Sequence, residues 1–582
     1  MKTPVSVVIL AKNEAARIEE CLRSVEWADE TLIIDDESAD RTVEIAERLG
    51  ARVLKRRMDI EGRHRNWAYA QAKHDWVLSL DADERVTPEL AQEIDELLGN
   101  NPSCDIYSFP RKNYIGTQWI LHGGWYPSPQ VKLFKKEAFE WEETTVHPRA
   151  ISKSNKPWGD LKKDLIHYSY RDLADFVAKL NRQTTLEAQK WVLDGRKMPM
   201  GKALWRAVDR FFRTFWLKKG RQDGFLGFFV AVCGGMYQFL SYAKYWHLKT
   251  APFALSPSTR PLPITLSKPF ILRPFGKLRA GPLRMNGASK GLSLSKETGR
   301  LRTSLPKGEP FVLRPAQHER HPRVIRAPHT LSVVILTRNA AGTIQRCLDS
   351  VRWANEIIVV DGGSTDETVS LCEKAGARVI PRAPTDNFGE ERNAGTDAAK
   401  GDWVLQLDAD EVVTPEFREA LEQILQSDET HAAYKFRRTN FFLGTRMRFG
   451  GWEHDSLHLF KRGRARYEGR VHERLLVDGR TGTLQVGVNH YPFQSLEQFM
   501  DRQNRYTTLE AKQLVESQGK IPIQTIRRET MVKPIKLFWK IGVKKQGFRN
   551  GTIGLIFGGL YAFVHFLKWA KVWEILYANQ ET

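Results

Sequence analysis

A chain of 582 residues is too long for one core, and its 41% hydrophobic content is ordinary for globular protein. Five cysteines, an odd number without framework spacing, argue against a secreted disulfide scaffold and fit reduced thiols in the cytoplasm. The net charge of +20 invites a nucleic-acid reading, but residues 251–330 carry 15 Lys and Arg against 3 Asp and Glu, so +12 of it sits in one stretch; no basic–aromatic recognition module accompanies it, and no nucleic-acid partner is expected.

Taken in chain order, VSVVIL near the N-terminus reads as a buried strand; no signal-peptide cleavage pattern follows it. From Glu14 to Val25, Ile18, Leu22 and Val25 share one helical face. TLIIDD is a second strand with Asp35 and Asp36 at its C-terminal end, Thr42–Leu49 a second helix, and ARVLKRR a third strand. DWVLSLDAD is a fourth, again ending in carboxylates, Asp81 and Asp83. Alternating strands and helices predict an α/β fold with a parallel, doubly wound sheet, in which ligands bind beyond the carboxyl ends of the strands. No G-x-G-x-x-G follows the first strand, so a dehydrogenase is not expected.

The same order then recurs. SVVILAKNEAARIEECLRSV from Ser6 is matched by SVVILTRNAAGTIQRCLDSV from Ser332, and DWVLSLDADERVTPEL from Asp75 by DWVLQLDADEVVTPEF from Asp402, identical at 13 of 16 positions. GGW at 123–125 and 450–452, Val146-His147 and Val471-His472, His167-Tyr168 and His490-Tyr491, and NRQTTLEAQ from Asn181 with NRYTTLEAK from Asn504 complete the series. The predicted organisation is a nucleotide-binding-type domain at 1–170 with a helical part at 171–250, and a second such pair at 331–493 and 494–582. Between them, residues 251–330 hold 12 of the 27 prolines and no sustained apolar period, and read as a disordered basic linker.

Two carboxylates at the end of a buried strand repel each other unless a cation joins them, so Asp81 and Asp83, with Asp408 and Asp410, are candidate ligands for Mg²⁺ or Mn²⁺, which would neutralise a diphosphate leaving group. Asp35 and its counterpart Asp361 would accept a uracil imide N–H; Asp40 and Asp366 suit either helix capping or binding. Arg65 and Arg392 are either phosphate contacts or surface residues.

With SVVIL-x-x-N, LDADE, GGW, VH and H-Y in this order, each copy resembles the family 2 glycosyltransferases, most closely the bacterial lipopolysaccharide core β-glucosyltransferase branch. That resemblance implies the GT-A fold, inversion at the anomeric carbon, a nucleotide-sugar donor, usually UDP-linked, and a divalent metal bridging LDAD to the diphosphate. It carries metal contact onto Asp81, Asp83, Asp408 and Asp410, and nucleotide contact onto Asp35 and Asp361 and onto Asn13 and Asn339; Asp36, Arg65 and Arg392 complete the nucleotide-binding set.

Inversion needs a base for the acceptor hydroxyl. GGWEHDSLHLF offers Asp455, with Glu453 in reserve, and VHE offers Glu473; copy one reads GGWYPSPQVKLF, setting Ser128 against Asp455, and VHP, setting Pro148 against Glu473. Glu84, Glu142 and Glu143 remain as bases there, while His147 and His472 either orient substrate or pack. After NR-x-TTLEA each copy mixes aromatics with Lys and Arg and then turns apolar, Phe225–Tyr242 and Gly551–Leu567 being free of charge. Monotopic docking is expected here over a span or a packed hairpin, placing the protein on the cytoplasmic face of the bacterial inner membrane with a lipid-linked saccharide acceptor. Either both heads transfer sugar, or copy two does so while copy one binds donor or acceptor.

Overall fold

The computed structural model describes residues 3–143, 149–250, 329–383, 387–427, 430–469 and 473–578. The linker reading for 251–330 therefore falls outside the described residues save at its last two, as do the readings placed on His147, Pro148 and His472.

In copy one the strands Val5–Ala11, Glu30–Asp35, Arg52–Lys55 and Trp76–Asp81 pair in parallel, with the first strand between the second and the fourth. Copy two repeats this with Leu331–Thr337, Glu356–Asp361, Arg378–Pro381 and Trp403–Asp408. Register brings the carboxylates to one edge: Ala11 pairs with Asp35 and Leu10 with Asp81, as Thr337 pairs with Asp361 and Leu336 with Asp408. Alternate residues of the first strand feed opposite cores, Val5, Val7 and Ile9 on one face and Val8 with Leu32 and Ile34 on the other. A strand covered on both sides is apolar on both, which is why VSVVIL shows no alternation; its one polar residue, Ser6, is buried with its hydroxyl donating to Glu30 at 2.5 Å.

The far half of each sheet is mixed. Gln130–Lys135 lies antiparallel to the LDAD strand in copy one, with Leu78 opposite Leu133; His454–Lys461 does the same in copy two, with Leu405 opposite Leu459. The alternating strand–helix pattern predicts only the parallel half; the antiparallel strands are joined to it by register rather than by sequence order.

Each copy ends in helices. Leu173–Leu193 and Met200–Phe212 lead through a π-helical turn at Arg213–Leu217 and a 3-10 turn at Gly220–Asp223 into Gly224–Thr250. Copy two runs Leu496–Gln518, Ile523–Met531 and Lys533–Trp539, then equivalent turns, into Thr552–Tyr577. The apolar final helix of each copy packs closely on the turn before it. A Cβ at Gly227 would lie 1.8 Å from the Gly220 carbonyl oxygen, and one at Gly554 2.0 Å from that of Gly547. Phe176, Phe229 and Leu240 of copy one share one apolar cluster with Phe499, Phe566 and Leu567 of copy two.

Candidate functional site

The LDAD strands stop at Asp81 and Asp408, and the next two residues form a turn. The two carboxylates of each motif therefore part company rather than pointing the same way along an extended chain. Asp81 receives Arg65 Nη2 and Lys132 Nζ, each at 3.0 Å, while Lys132 also holds Glu84 at 2.6 Å. Asp408 receives Arg392 Nη2 at 2.7 Å and Arg438 Nη2 at 2.8 Å, and Arg438 Nε reaches Glu411 at 2.6 Å. Burial would raise both aspartates, but the flanking cations outweigh it and hold each well below the usual carboxylate range. Arg65 and Arg392 thus serve the first aspartate rather than standing free at the surface.

The second aspartate faces the histidine of the repeated H-Y pair, a residue outside the predicted site set. His167 Nε2 lies 3.6 Å from Asp83 Oδ1, and His490 Nε2 lies 3.4 Å from Asp410 Oδ1. The ring on the far side is fixed by an asparagine: Nδ1 meets Asn113 Oδ1 at 2.8 Å in copy one and Asn440 Oδ1 at 2.6 Å in copy two. Those asparagines are oriented in turn by donating Nδ2 to the carbonyl of the GGW tryptophan, Trp125 or Trp452. An amide oxygen only accepts, so Nδ1 carries the proton and Nε2 presents either an imidazolium N–H or a lone pair to the carboxylate. The lone pair requires a cation between the two. Asp410 Oδ1 is buried with no hydrogen-bond partner, as a group awaiting such a cation would be. Among the described residues no group of three or more His, Cys, Asp or Glu side chains is arranged to hold a metal. An aspartate–histidine pair would leave a Mg²⁺ or Mn²⁺ ion most of its shell for water and phosphate oxygens.

The second-strand carboxylates are built into loops. Asp35 Oδ2 accepts from Ser38 N at 3.1 Å, and its Oδ1 is buried without a hydrogen-bond partner. Asp361 takes Ser364 N at 2.9 Å and Ser364 Oγ at 2.5 Å. Asp36 is engaged by Met58 N at 2.7 Å and Lys12 Nζ at 2.9 Å, and copy two has Gly362 in its place. Asn13 and Asn339, both at positive φ, brace the first loop onto the second by accepting from Ala39 N and Thr365 N. Asp40 and Asp366, one residue before the N-cap positions Arg41 and Glu367, accept from the first helical N–H, of Thr42 and Thr368, and from Ala15 N and Ala341 N of the first loop. Asn66 and Asn393, the partners of the repeated Arg-Asn pair, clip their helix to a neighbouring strand through two bonds each, to Trp141 and to Tyr467.

The candidate bases separate cleanly. Phe436 pairs with Ser456 as Phe109 pairs with Gln130, so the residue at the place of Asp455 is Pro129, not Ser128. Copy one carries one extra residue between GGW and the strand, which moves Ser128 out of register with Asp455. Asp455 is 43% exposed, 3.3 Å from Arg437 Nε, on the strand beside the end of LDAD. Glu453 is held by Arg446 at 2.9 Å, and Glu473 by Arg392 Nε at 2.8 Å. In copy one Glu84 is fully buried on Lys132, and Glu143 and Glu142 meet Arg63 and Arg149 at the surface.

With two such strand-end clusters in place, the comparisons decide the family. Glycosyl transferase family 2 matches residues 6–154 and again 332–476, just over half of the chain. The chain belongs to glycosyl transferase family 2. It is similar to an uncharacterized glycosyltransferase of Rickettsia bellii, 28% identical over 268 residues, 44% of this chain and 90% of that one. It is also similar to the lipopolysaccharide core biosynthesis glycosyltransferase LpsC of Rhizobium meliloti, 24% identical over 261 residues, 43% of this chain and 96% of that one. Among solved structures, S. aureus TarS 1–349 in complex with UDP aligns at 13% identity with a TM-score of 0.23, over 43% of this chain and 91% of that one. By family the chain is a glycosyltransferase, and the α/β fold with its parallel-rich sheet, expected from the sequence, is present twice.

Proposed function

We propose that the chain moves a sugar from a UDP-linked hexose to a lipid-linked saccharide, such as a lipopolysaccharide core precursor, and that copy two is the transferring head. The observation that carries this reading is a contrast. Both copies have the aspartate–histidine pair at the end of LDAD, but only copy two has a solvent-reachable carboxylate, Asp455, on the adjoining strand.

In this reading each head holds a donor. Asp35 and Asp361 take the base, the unpartnered Asp35 Oδ1 being free to accept an imide N–H. A Mg²⁺ or Mn²⁺ ion would be held by Asp410 and His490 in copy two and by Asp83 and His167 in copy one, supplying positive charge against the diphosphate leaving group. Metal contact is thereby assigned to Asp83 and Asp410, because Asp81 and Asp408 are already neutralised by two cations each. Asp455 removes the acceptor hydroxyl proton as that oxygen attacks the anomeric carbon from the face opposite the diphosphate, which inverts configuration. Glu473 holds Arg392 in place on Asp408. Copy one, with Pro129 at the base position and its nearby glutamates engaged, binds donor or acceptor without transferring sugar.

A membrane surface as the acceptor's source is supported by a duplicated apolar stripe. Leu204, Trp205, Val208, Phe212 and Trp216 are exposed at helical spacing, and so are Met531, Val532, Ile535, Trp539 and Val543 at the equivalent places. Lysines and arginines interleave with both stripes, the pattern of a helix lying in a lipid interface. The GGW loop that leads to Asp455 is tied to the end of this segment: Gly123 N donates to Lys218 O at 2.8 Å, and Gly450 N to Lys545 O at 2.7 Å. The final helices are long and apolar enough to cross a bilayer, yet more than half of the apolar stretch of each is buried within the protein, which favours peripheral or monotopic seating over a span; in this reading the seat is the cytoplasmic face of the inner membrane. LpsC, by its name a core biosynthesis enzyme, agrees with such an acceptor.

The test is sugar transfer from labelled UDP-hexoses to a membrane lipid extract in the presence of Mn²⁺. Asp83→Ala together with Asp410→Ala should abolish transfer; undiminished turnover by that double variant contradicts the mechanism.

A further inference from the structure

The repeated NR-x-TT stretch lies away from the sugar site, and its job there is different. Asn181 and Asn504 occupy equivalent places on the helices Leu173–Leu193 and Leu496–Gln518. Asn181 Nδ2 donates across to Glu497 O of copy two at 2.9 Å and to Asp501 Oδ1 at 2.7 Å. Asn504 Nδ2 donates across to Ala174 O of copy one at 2.8 Å. Ala174 and Glu497 are themselves equivalent, seven residues before each asparagine, so the two bonds are one contact made twice. A contact in which i meets j and j meets i is the signature of an isologous interface.

What aims the asparagines outward is a buried lysine in each copy. Lys244 Nζ donates to Asn181 O at 2.5 Å and Oδ1 at 2.6 Å, and to the hydroxyls of Thr184 and Thr185. Lys571 Nζ makes the same four bonds to Asn504, Thr507 and Thr508. With Oδ1 taken by its own lysine, the amide can only turn Nδ2 to the other copy. Around this polar pair the final helices complete the contact: Phe225 stacks on Trp573 with centroids 4.5 Å apart, and Glu574 Oε1 accepts from Leu173 N at 2.7 Å.

We propose that NR-x-TT with its lysine is a self-complementary docking module whose occupant is the other copy, and that it holds the two heads together without the 251–328 connection. The relatives support the commitment to that occupant. The R. bellii and R. meliloti proteins are matched over 90% and 96% of their length by 268 and 261 residues, so a single copy makes up nearly the whole chain there. Here the interface stands where two separate chains would otherwise have to meet. The inference is independent of which sugar is moved or which head moves it.

The experiment uses the full chain with a protease site placed within 251–328, purified in detergent, cut to completion and run on size exclusion with light scattering. The two fragments should elute as one particle with the protein mass of the uncut chain, 66.9 kDa. Elution as two separate fragments overturns the proposal. The paired variant Asn181→Asp and Asn504→Asp keeps Oδ1 for the lysine and gives it an ion partner, so each half should stay folded by circular dichroism. It also sets a carboxylate against the facing carbonyl, and the cut halves should then separate at roughly 10-fold higher concentration or more. If the cut variant stays as tightly associated as the parent, the asparagines do not carry the interface and the module is wrong.

Discussion

Between Nε2 of His490 and Oδ1 of Asp410 there are 3.4 Å and no proton that Asn440 leaves available except on an imidazolium. The asparagine should therefore matter more to the ion than to the fold. Asn440→Ala, made in an Asp83→Ala background, should weaken Mn²⁺ binding in the presence of UDP about 10- to 100-fold, read by the free-Mn²⁺ EPR signal, as loss of an outer partner of a ligating histidine does elsewhere. Unchanged affinity would remove His490 from the ligand set. Asp455→Asn should lower kcat by about 10²- to 10⁴-fold while leaving donor binding intact, since a base is needed only in the transfer step. A third residue reports on stability. Burial, with Arg392 and Arg438 close by, pushes His458 from 6.5 down to about 3. The unfolded chain then binds the proton that the folded one refuses, so stability is lost as pH falls from 6.5 toward 3, by about 2 kcal/mol already near pH 5. His458→Gln should flatten that dependence in urea melts run at about pH 7 and pH 5.

The carboxylates of LDAD, Asp35 and Asp361 were legible in the sequence because each ends a mostly apolar strand, and strand ends are a local property. Their partners were not. Lys132 and Arg438 come from strands that reach Asp81 and Asp408 only through sheet register, and Lys132 stands where copy two has His458. The slip from Ser128 to Pro129 has the same origin: one inserted residue is absorbed before the strand, and pairing resets the count.

Helices and turns carry predictions of their own. Gly227 and Gly554 let the last helix of each copy touch the preceding turn, and a methyl there would collide with backbone that cannot move aside. Gly554→Ala should cost roughly 2–4 kcal/mol in thermal unfolding, where Gly→Ala in an open helix position would stabilise. The exposed stripes predict function rather than stability. Replacing Trp205, Phe212, Ile535 and Trp539 together with Ser should abolish cosedimentation with vesicles containing anionic lipid and leave the melting temperature within a few degrees. Retained vesicle binding would remove the membrane surface from the account. The aromatic–basic character of these segments was readable in sequence; the bonds from the GGW glycines to Lys218 and Lys545, which bring the end of the stripe to the GGW loop, are long-range and were not.

As a whole molecule the chain is one fold made twice and docked on itself. The duplication, the parallel half of each sheet and the family were all accessible from spacing and motif order. The inequality proposed for the heads was accessible only in outline, because it rests on one strand position and on which glutamates are already paired. The direct measurement is transfer from labelled UDP-hexose to membrane lipid by the two single-head variants of the full chain. The account predicts that Asp410→Ala loses transfer while Asp83→Ala keeps most of it, with both variants still binding UDP and Mn²⁺ at the remaining site. Transfer that survives Asp410→Ala and is lost with Asp83→Ala would contradict it.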